Sequence, residues 1–126
     1  MSNLLFGVQG RANRAKFWLV ALAIAVIEMI LFAVILGGAA MSGDPEKIAA
    51  AMGPVASIVI FVFVVIATWI SIAVAVKRYH DRNKSGWWVL IVFVPIIGGL
   101  WYLVECGFLR GTAGPNEYGP DPLAAV

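Results

Sequence analysis

The chain has 126 residues, of which 62% are hydrophobic and 13% are charged, and its formal net charge is +2. An ordinary soluble domain has about 45–50% apolar and about 25% charged residues. The composition therefore excludes a typical water-soluble protein, and the small net charge excludes a large nucleic-acid-binding surface. The length predicts a single membrane domain. The one cysteine, Cys106, excludes an intrachain disulfide and is expected to be a buried small hydrophobic residue.

The N-terminal segment, residues 1–16, precedes an apolar run over residues 17–40. A helix that crosses a bilayer needs about 20 apolar residues, whereas the apolar region of a cleaved signal has about 7–15. Residues 17–40 are therefore predicted to be the first span. Glu28 lies halfway along it, where a charge costs about 2.5–3.5 kcal/mol. We expect Glu28 to be uncharged and hydrogen-bonded to a neighbouring helix.

A polar segment, residues 41–54, separates the first span from the second. Asp44 followed by Pro45 is a typical helix start, with an N-cap oxygen and a proline in the first helical position. Gly53-Pro54 is expected to kink or restart that helix. Residues 55–76 are predicted to be the second span. Their many β-branched side chains would favour a strand in water, but in lipid the backbone must be satisfied locally, which favours a helix.

A short basic loop, residues 77–86, leads to a third apolar run over residues 87–109. Pro95 and Gly98-Gly99 interrupt this run, so it is either one kinked helix or a re-entrant hairpin of two half-helices. Each arm of a hairpin would have about 8–10 residues, far fewer than the roughly 20 of a span, and would need shielding by protein. We therefore expect one kinked span.

The tail, residues 110–126, is rich in glycine and proline and is predicted to be irregular, with a specific turn. A single third span would place the tail outside the membrane. Asp121 could then not pair with Arg11, Arg14 or Arg78. A hairpin would instead return the tail to the side of the basic loop.

The distribution of basic residues predicts the orientation. Cytoplasmic loops carry an excess of lysine and arginine. The N-terminal segment has three of them and residues 77–86 have four, whereas residues 41–54 have only Lys47. The N-terminus and the basic loop are therefore predicted to be cytoplasmic and residues 41–54 external. The seven basic residues are Arg11, Arg14, Lys16, Lys77, Arg78, Arg82 and Lys84.

Three polar segments carry recognisable motifs: FGVQGRANRAKFW, KRYHDRNKSGWW and RGTAGPNEYGPDP. Together they resemble the YhaH-like bacterial inner-membrane proteins, a family of unknown function. The resemblance implies a small helical, multi-pass protein of the bacterial inner membrane and supplies no activity. The family signatures fall on Gly10, Arg11, Arg14, Phe17 and Trp18; on Arg78, His80, Asp81, Ser85, Gly86, Trp87 and Trp88; and on Gly111, Thr112, Gly114, Asn116, Tyr118, Gly119, Pro120, Asp121 and Pro122.

The same segments supply the candidate site. Arg11 and Arg14 are three residues apart, so on a helix they would clamp one phosphate or carboxylate together. The candidate residues for binding an anion, a lipid headgroup or a partner are Arg11, Arg14, Arg78, His80, Asp81, Arg82, Lys84, Trp87 and Trp88, with a tail motif of Asn116, Tyr118 and Asp121. Trp87 and Trp88 are expected at the membrane interface.

His80-Asp81 is the one candidate for acid–base chemistry, with a carboxylate orienting a general base. The alternative is structural: Asp81 pairs with an arginine, and His80 caps a helix end or hydrogen-bonds in the loop. The chain has no second histidine, so a metal site lacks ligands. We expect no cofactor and no metal.

Three functions remain open. The first is a non-enzymatic accessory, assembly or regulatory subunit of a larger membrane complex, in contact with anionic lipid headgroups and other subunits. The second is a lipid- or anion-binding or transporter-like module. The third is a membrane enzyme that uses His80 and Asp81. No nucleotide loop, nucleophile elbow or cofactor motif is found, and the first function is the one we expect.

Overall fold

The computed structural model of the chain describes residues 2–124, and within them every regular element is helical. The structure divides into two compact units, residues 22–68 and residues 2–21 with 69–124. The elements are α1 (Ser2–Leu5), α2 (Arg14–Ser42), α3 (Pro45–Ala51), α4 (Pro54–Asp81), a 3₁₀ helix (Gly86–Phe93), α5 (Ile97–Leu103) and a π-helical turn (Val104–Phe108).

Two helices are long and apolar enough to cross a membrane: α2 with 29 residues and α4 with 28. At about 1.5 Å per residue each exceeds the roughly 30 Å hydrocarbon core of a bilayer. They contain the predicted spans 17–40 and 55–76, so the prediction of two membrane-length helices there is confirmed. Most of their large apolar side chains are exposed, as lipid-facing residues would be.

The segment between the two long helices contains α3, as the Asp44-Pro45 pattern predicts. Oδ1 of Asp44 accepts a hydrogen bond from Glu46 N at 2.9 Å, and Pro45 occupies the first helical position. Helix α3 ends at Ala51, and α4 begins at Pro54. The predicted restart at Gly53-Pro54 is confirmed.

Helix α4 continues to Asp81, so the expectation that residues 77–86 form a loop is wrong for the first half of that segment. Asn83, two residues beyond the end of the helix, has φ 58°. Asn83 N donates to His80 O and Lys84 N donates to Tyr79 O, the paired bonds of a Schellman motif. Ser85 then caps the 3₁₀ helix by accepting from Trp87 N.

The expectation of one continuous third span over residues 87–109 is also wrong. The 3₁₀ helix ends at Phe93, the chain turns at Val94–Ile96, and α5 packs back against the 3₁₀ helix. The rings of Trp88 and Trp101 stack at 6.3 Å between centroids. Close to the turn, Gly98 is buried, and a Cβ at that position would overlap the carbonyl oxygen of Ile91. Residues 86–108 therefore form the hairpin that the alternative interpretation described.

The hairpin is too short to cross a bilayer. Its first arm, eight residues of 3₁₀ helix, extends about 16 Å at about 2.0 Å per residue. The return arm, Ile97–Phe108, extends about 18 Å at about 1.5 Å per residue. Both arms reach roughly halfway through a 30 Å core. The segment is therefore re-entrant, and its two ends lie together.

The tip of the hairpin is a γ-turn centred on Ile96. Ile97 N donates to Pro95 O at 2.7 Å, and Ile96 has φ 66° and ψ −62°. A β-branched residue rarely adopts positive φ, which makes this a strained conformation. The turn satisfies backbone groups locally, and Pro95 brings no N–H that would need a partner. A sharp reversal can therefore lie in an apolar environment.

Candidate functional site

The polar motifs meet around the carboxylate of Asp81. Its Oδ1 lies 3.0 Å from Nε of Arg11, and its Oδ2 lies 2.6 Å from Nη1 of Arg78. The side chains of Arg11, Arg78 and Asp81 are 1%, 0% and 4% exposed. Two arginines thus share one carboxylate in a buried cluster, which confirms that Asp81 pairs with arginine. We call Arg11, Arg78 and Asp81 the arginine cluster.

Arg78 uses all five of its N–H donors. Besides Asp81, the guanidinium donates to four carbonyl oxygens, at distances of 2.6–3.4 Å. One carbonyl belongs to Ala12, and the other three belong to Glu105, Cys106 and Leu109. A guanidinium has five donors and no acceptor, so this side chain is saturated inside the protein.

Arg11 is saturated in the same way. It donates to the carboxylate and the backbone carbonyl of Asp81 and to the carbonyls of Thr112, Gly114 and Gly119 in the tail. The predicted clamp of Arg11 and Arg14 on one anion is therefore wrong. Helix α2 begins only at Arg14, so the two side chains do not share a helical face, and Arg14 donates to Phe108 O instead.

The carbonyls at the end of the hairpin find partners on other segments. Nε1 of Trp18 donates to Gly107 O at 2.8 Å, next to the Arg14 bond to Phe108 O. A Cβ on Gly107 would lie 2.7 Å from the Trp18 ring, so any larger residue there would displace that ring. The last carbonyls of a helix lack partners within the helix. Arg14, Trp18 and Arg78 supply these partners, which joins the hairpin to the first and second motifs.

His80 is held by the other two motifs and not by Asp81. Its Nδ1 lies 3.0 Å from Gly10 O, and because a carbonyl only accepts, Nδ1 carries the proton. Its ring stacks on Tyr118 with centroids 4.0 Å apart. Asp81 points to the arginines. His80 and Asp81 therefore lack the mutual hydrogen bond of an oriented general base. The expected hydrogen bond of His80 within the loop is not what is found, because its ring bonds to Gly10 O, 70 residues away.

The tail folds against the end of α4 and does not lie on the opposite side. Nδ2 of Asn116 donates to His80 O, and Thr112 N donates to Asp81 O. A Cβ on Gly111 would overlap the carboxylate of Asp81, which explains the glycine at this point of the motif. The external position expected for residues 110–126, opposite the basic loop, is therefore wrong.

The turn within the tail is specific, as predicted. Asn116 and Gly119 pair as an antiparallel bridge, and Tyr118 N donates to Asn116 Oδ1. Asp121 accepts from the backbone N–H groups of Leu123 and Gly114. These bonds hold the pKa of the Asp121 carboxyl below its usual range. Asp121 thus organises the turn that delivers carbonyls to Arg11, and the described residues show no hydrogen bond from it to an arginine.

A second polar cluster lies at the base of the hairpin, around Glu105. Oε1 of Glu105 lies 2.9 Å from Nε of Arg82 and 2.5 Å from Nζ of Lys84, and its Oε2 accepts from Nε1 of Trp101 at 2.6 Å. Lys84 Nζ also lies 4.8 Å from the centre of the Trp88 ring. Arg82 and Lys84 remain 25% and 29% exposed. We call these residues the Glu105 cluster.

A groove of about 450 Å³ opens beside the Glu105 cluster. Arg82, Lys84 and Glu105 line one part of it, and the remainder is apolar. Trp87 is 75% exposed at the start of the 3₁₀ helix and lines a separate, shallower pocket with Trp88. The residues of the groove are Arg82, Lys84, Ile97, Leu100, Trp101, Val104, Glu105 and Leu109.

Sequence reasoning missed the roles of Trp101 and Ala12. For Glu105 it left two positions open, solvated near the outer face for a single span or beside the basic loop for a hairpin, and the structure has the second. Ala12 is fully buried and pairs through its backbone with Lys77 O and Arg78. Nothing in the sequence distinguishes it from the other alanines. Glu105 carried a signal, because a charged residue inside an apolar run needs a partner. Only a hairpin brings that partner within reach.

Two other predictions concern Cys106 and Glu28. Cys106 is fully buried, as expected. Glu28 is exposed on α2, and no hydrogen bond to its side chain is found in residues 2–124. The expected bond to a neighbouring helix of the same chain is therefore wrong. In the described part of the chain, no three His, Cys, Asp or Glu side chains are grouped as a metal site would require.

Comparison with known proteins identifies the family of the chain. The family described as "Protein of unknown function (DUF805)" matches residues 5–120, which contain most of the three motifs. The inner membrane protein YhaI of Escherichia coli K12 is 35% identical over 118 residues, covering 92% of this chain and 86% of YhaI. The inner membrane protein YhaH of the same strain is 30% identical over 122 residues, covering 92% of this chain and 87% of YhaH. No solved structure matches the chain. The resemblance seen in the motifs is confirmed, and the chain belongs to the DUF805 family.

Proposed function

We propose that this protein is an accessory subunit of the bacterial inner membrane, and that it binds another integral membrane protein through helix α2. The observation that carries the proposal is the position of Glu28. It is 14 residues from each end of α2, whose bounds are Arg14–Ser42. At about 1.5 Å per residue it lies about 21 Å from either end, which for a helix that crosses the membrane is the middle of the bilayer.

An acidic side chain in this position needs a polar neighbour. A charge at the centre of a membrane helix costs about 2.5–3.5 kcal/mol on insertion scales, and ionisable residues there almost always face a protein interior or a cavity. Glu28 is exposed in the single chain. A donor on a partner helix would satisfy the carboxyl group. Hydrogen bonds of this kind between membrane helices contribute about 0.6–2 kcal/mol each.

The arginine cluster supports a role based on binding surfaces. The N–H donors of the Arg11 and Arg78 guanidinium groups are all hydrogen-bonded to acceptors inside the protein. Asp81 is buried between them, and His80 bonds to Gly10 O. These side chains fix the fold of the unit formed by residues 2–21 and 69–124. What remains for function is the exposed surface, including the apolar face of α2 around Glu28.

The orientation is inferred from the basic residues. Loops with an excess of lysine and arginine remain in the cytoplasm. Residues 1–16 and 77–86 hold seven such residues, and residues 41–54 hold one. We infer that α2 and α4 both cross the membrane and that the N-terminus, the arginine cluster and the tail face the cytoplasm. Residues 41–54 then face the other side.

Purification from native membranes in a mild detergent tests the proposal. We expect Glu28→Gln to retain the co-purified membrane protein, because an amide keeps a donor and an acceptor. We expect Glu28→Leu to lose it, because the partner's buried polar group is left unpaired. Met29→Leu is the matched control, because Met29 is the next residue of the same helix and is 72% exposed.

Two results would contradict the accessory role. In the first, Glu28→Leu retains the same co-purified protein in the same amount as the wild type, so Glu28 contributes nothing to association. In the second, light scattering shows that the wild type is a homodimer that Glu28→Leu dissociates. The partner of Glu28 would then be a second copy of this chain.

A further inference from the structure

We propose that the groove beside the Glu105 cluster binds one anionic phospholipid, with the phosphate on Arg82 and Lys84 and an acyl chain along helix α5. This site is separate from the Glu28 face and does not depend on it. The proposal rests on three features of the groove: its unsatisfied cationic donors, the engagement of the Glu105 carboxylate by both cations and Trp101, and the apolar face that continues from them.

The cations of the groove keep donors that the protein does not use. Nε of Arg82 faces Glu105 and its Nη1 donates to Arg110 O, but no acceptor for Nη2 is found among residues 2–124. Nζ of Lys84 has three N–H groups and contacts one carboxylate oxygen. Both side chains are more than 20% exposed. By contrast, Arg11 and Arg78 are buried and saturated.

The carboxylate of Glu105 favours an anionic headgroup over a zwitterionic one. Its Oε1 faces both cations, and its Oε2 accepts from Trp101. Three of the roughly four acceptor sites of the carboxylate are therefore used, and an ammonium group that reached the last one would lie beside both cations. Two cations and one carboxylate leave a net charge of about +1 in the groove, which complements one phosphate.

The apolar part of the groove suits an acyl chain. Ile97, Leu100, Trp101 and Val104 line it at i, i+3, i+4 and i+7, so they form one face of the return arm. Ile97 and Leu100 are 64% and 61% exposed, which leaves apolar surface for a lipid chain to cover. The face begins at the two cations and runs toward the hairpin tip. A phosphate joined to a hydrocarbon chain would contact both the cations and the apolar face of the groove, whereas a free phosphate would contact only the cations.

Native mass spectrometry of the purified protein with added phosphatidylglycerol tests the proposal. We expect one phosphatidylglycerol molecule to be retained in preference to phosphatidylethanolamine. The double variant Arg82→Gln, Lys84→Gln should bind it about tenfold more weakly or worse, since each basic group near an anionic lipid contributes measurably to affinity. The matched control Lys16→Gln, Lys47→Gln removes the same charge from two exposed side chains outside the groove and should retain the lipid.

A second variant separates lipid binding from folding. Leu100→Trp fills the apolar part of the groove while both cations and Glu105 remain. It should lose the retained lipid but keep the helical circular dichroism and the monodisperse elution of the wild type. Equal retention of phosphatidylethanolamine, equal loss in the Lys16 and Lys47 control, or displacement by millimolar inorganic phosphate would each overturn the proposal. Retention in Leu100→Trp would overturn it as well.

Discussion

Arg11 Nε lies 3.0 Å from Asp81 Oδ1, although the two residues are 70 positions apart. The contact joins the segment before the first long helix to the end of the second. The tail then closes over it, because Arg11 also donates to Thr112 O and Gly114 O. Three motifs that are distant in sequence thus form one connected polar network. Because its members are buried and saturated, the network stabilises a shape and offers no open binding site.

Neutralising Asp81 is expected to destabilise the protein strongly. Asp81→Asn keeps the size of the side chain but leaves two buried guanidinium groups without their counter-charge. Removing one partner of a buried ion pair typically costs about 3–5 kcal/mol. We expect a clearly lower melting temperature in detergent, measured by tryptophan fluorescence and by the loss of monodisperse protein after heating.

Glu117→Gln is the control for Asp81→Asn. It removes the same charge from an exposed tail residue and should leave the melting temperature unchanged. If Asp81→Asn has the same melting temperature as the wild type, the network does not stabilise the fold. Arg78→Lys should resemble Asp81→Asn, because an ammonium has three donors where the guanidinium uses five.

A methyl group at Gly111 is expected to separate the tail from α4. Its Cβ would overlap the Asp81 carboxylate and approach the Asp81 carbonyl at 2.8 Å. Gly111→Ala should therefore raise amide hydrogen exchange across residues 111–121. Gly99→Ala is the matched control, because nothing lies within 4 Å of a Cβ at that helical position, and it should be neutral or stabilise by up to about 1 kcal/mol. Equal exchange in both variants would contradict the close fit.

The re-entrant hairpin predicts which positions share one side of the membrane. Single cysteines at the exposed residues Gln9, Glu46 and Ala113 can be labelled in a Cys106→Ala background. With an impermeant maleimide on intact spheroplasts, we expect only position 46 to react. Positions 9 and 113 should react once the membrane is permeabilised. Labelling of position 113 together with position 46 would show that residues 87–109 cross the membrane after all.

The tail turn is expected to loosen in acid. Amide hydrogen bonds depress the pKa of Asp121 in the folded protein, so the stabilisation from this group is complete above the unfolded value of about 3.9. It disappears as the pH falls through the lower folded value. Asp121→Asn should abolish the pH dependence. The measurement is the protection of the Gly114 and Leu123 N–H groups from hydrogen exchange between neutral pH and pH 3. Glu117→Gln is the control, and it should keep the pH dependence of the wild type.

The sequence predicted the helices whose formation depends on local composition. Two long apolar runs became α2 and α4, and Asp44-Pro45 started a helix, because these outcomes follow from local propensity and from the bilayer thickness. The hairpin was weighed as an alternative, but one kinked span was the prediction. Counting apolar residues measures length but does not show that the carbonyls of Gly107 and Phe108 find donors on Trp18 and Arg14. Those partners are 89 and 94 residues away.

The arginine clamp failed for a local reason. The spacing of Arg11 and Arg14 suggested neighbours on a helix, but Asn13 precedes the first helical residue, and its Oδ1 accepts from Lys16 N at 2.9 Å as an N-cap does. Arg11 therefore lies outside the helix. The Arg11 side chain points to Asp81 because the two form a hydrogen bond. Asp81 is 70 residues away in sequence, so no local sequence pattern predicts this contact.

The network around Arg11 can form only late in the synthesis of the chain. As the chain leaves the ribosome, the guanidinium of Arg11 appears early, and its acceptor on Thr112 is made 101 residues later. Both long helices can insert before then, but the hairpin and tail cannot close over the cluster. A nascent or prematurely terminated chain that stops before Thr112 keeps unpaired donors at the membrane surface. The closed arginine cluster is therefore a property of the finished chain alone.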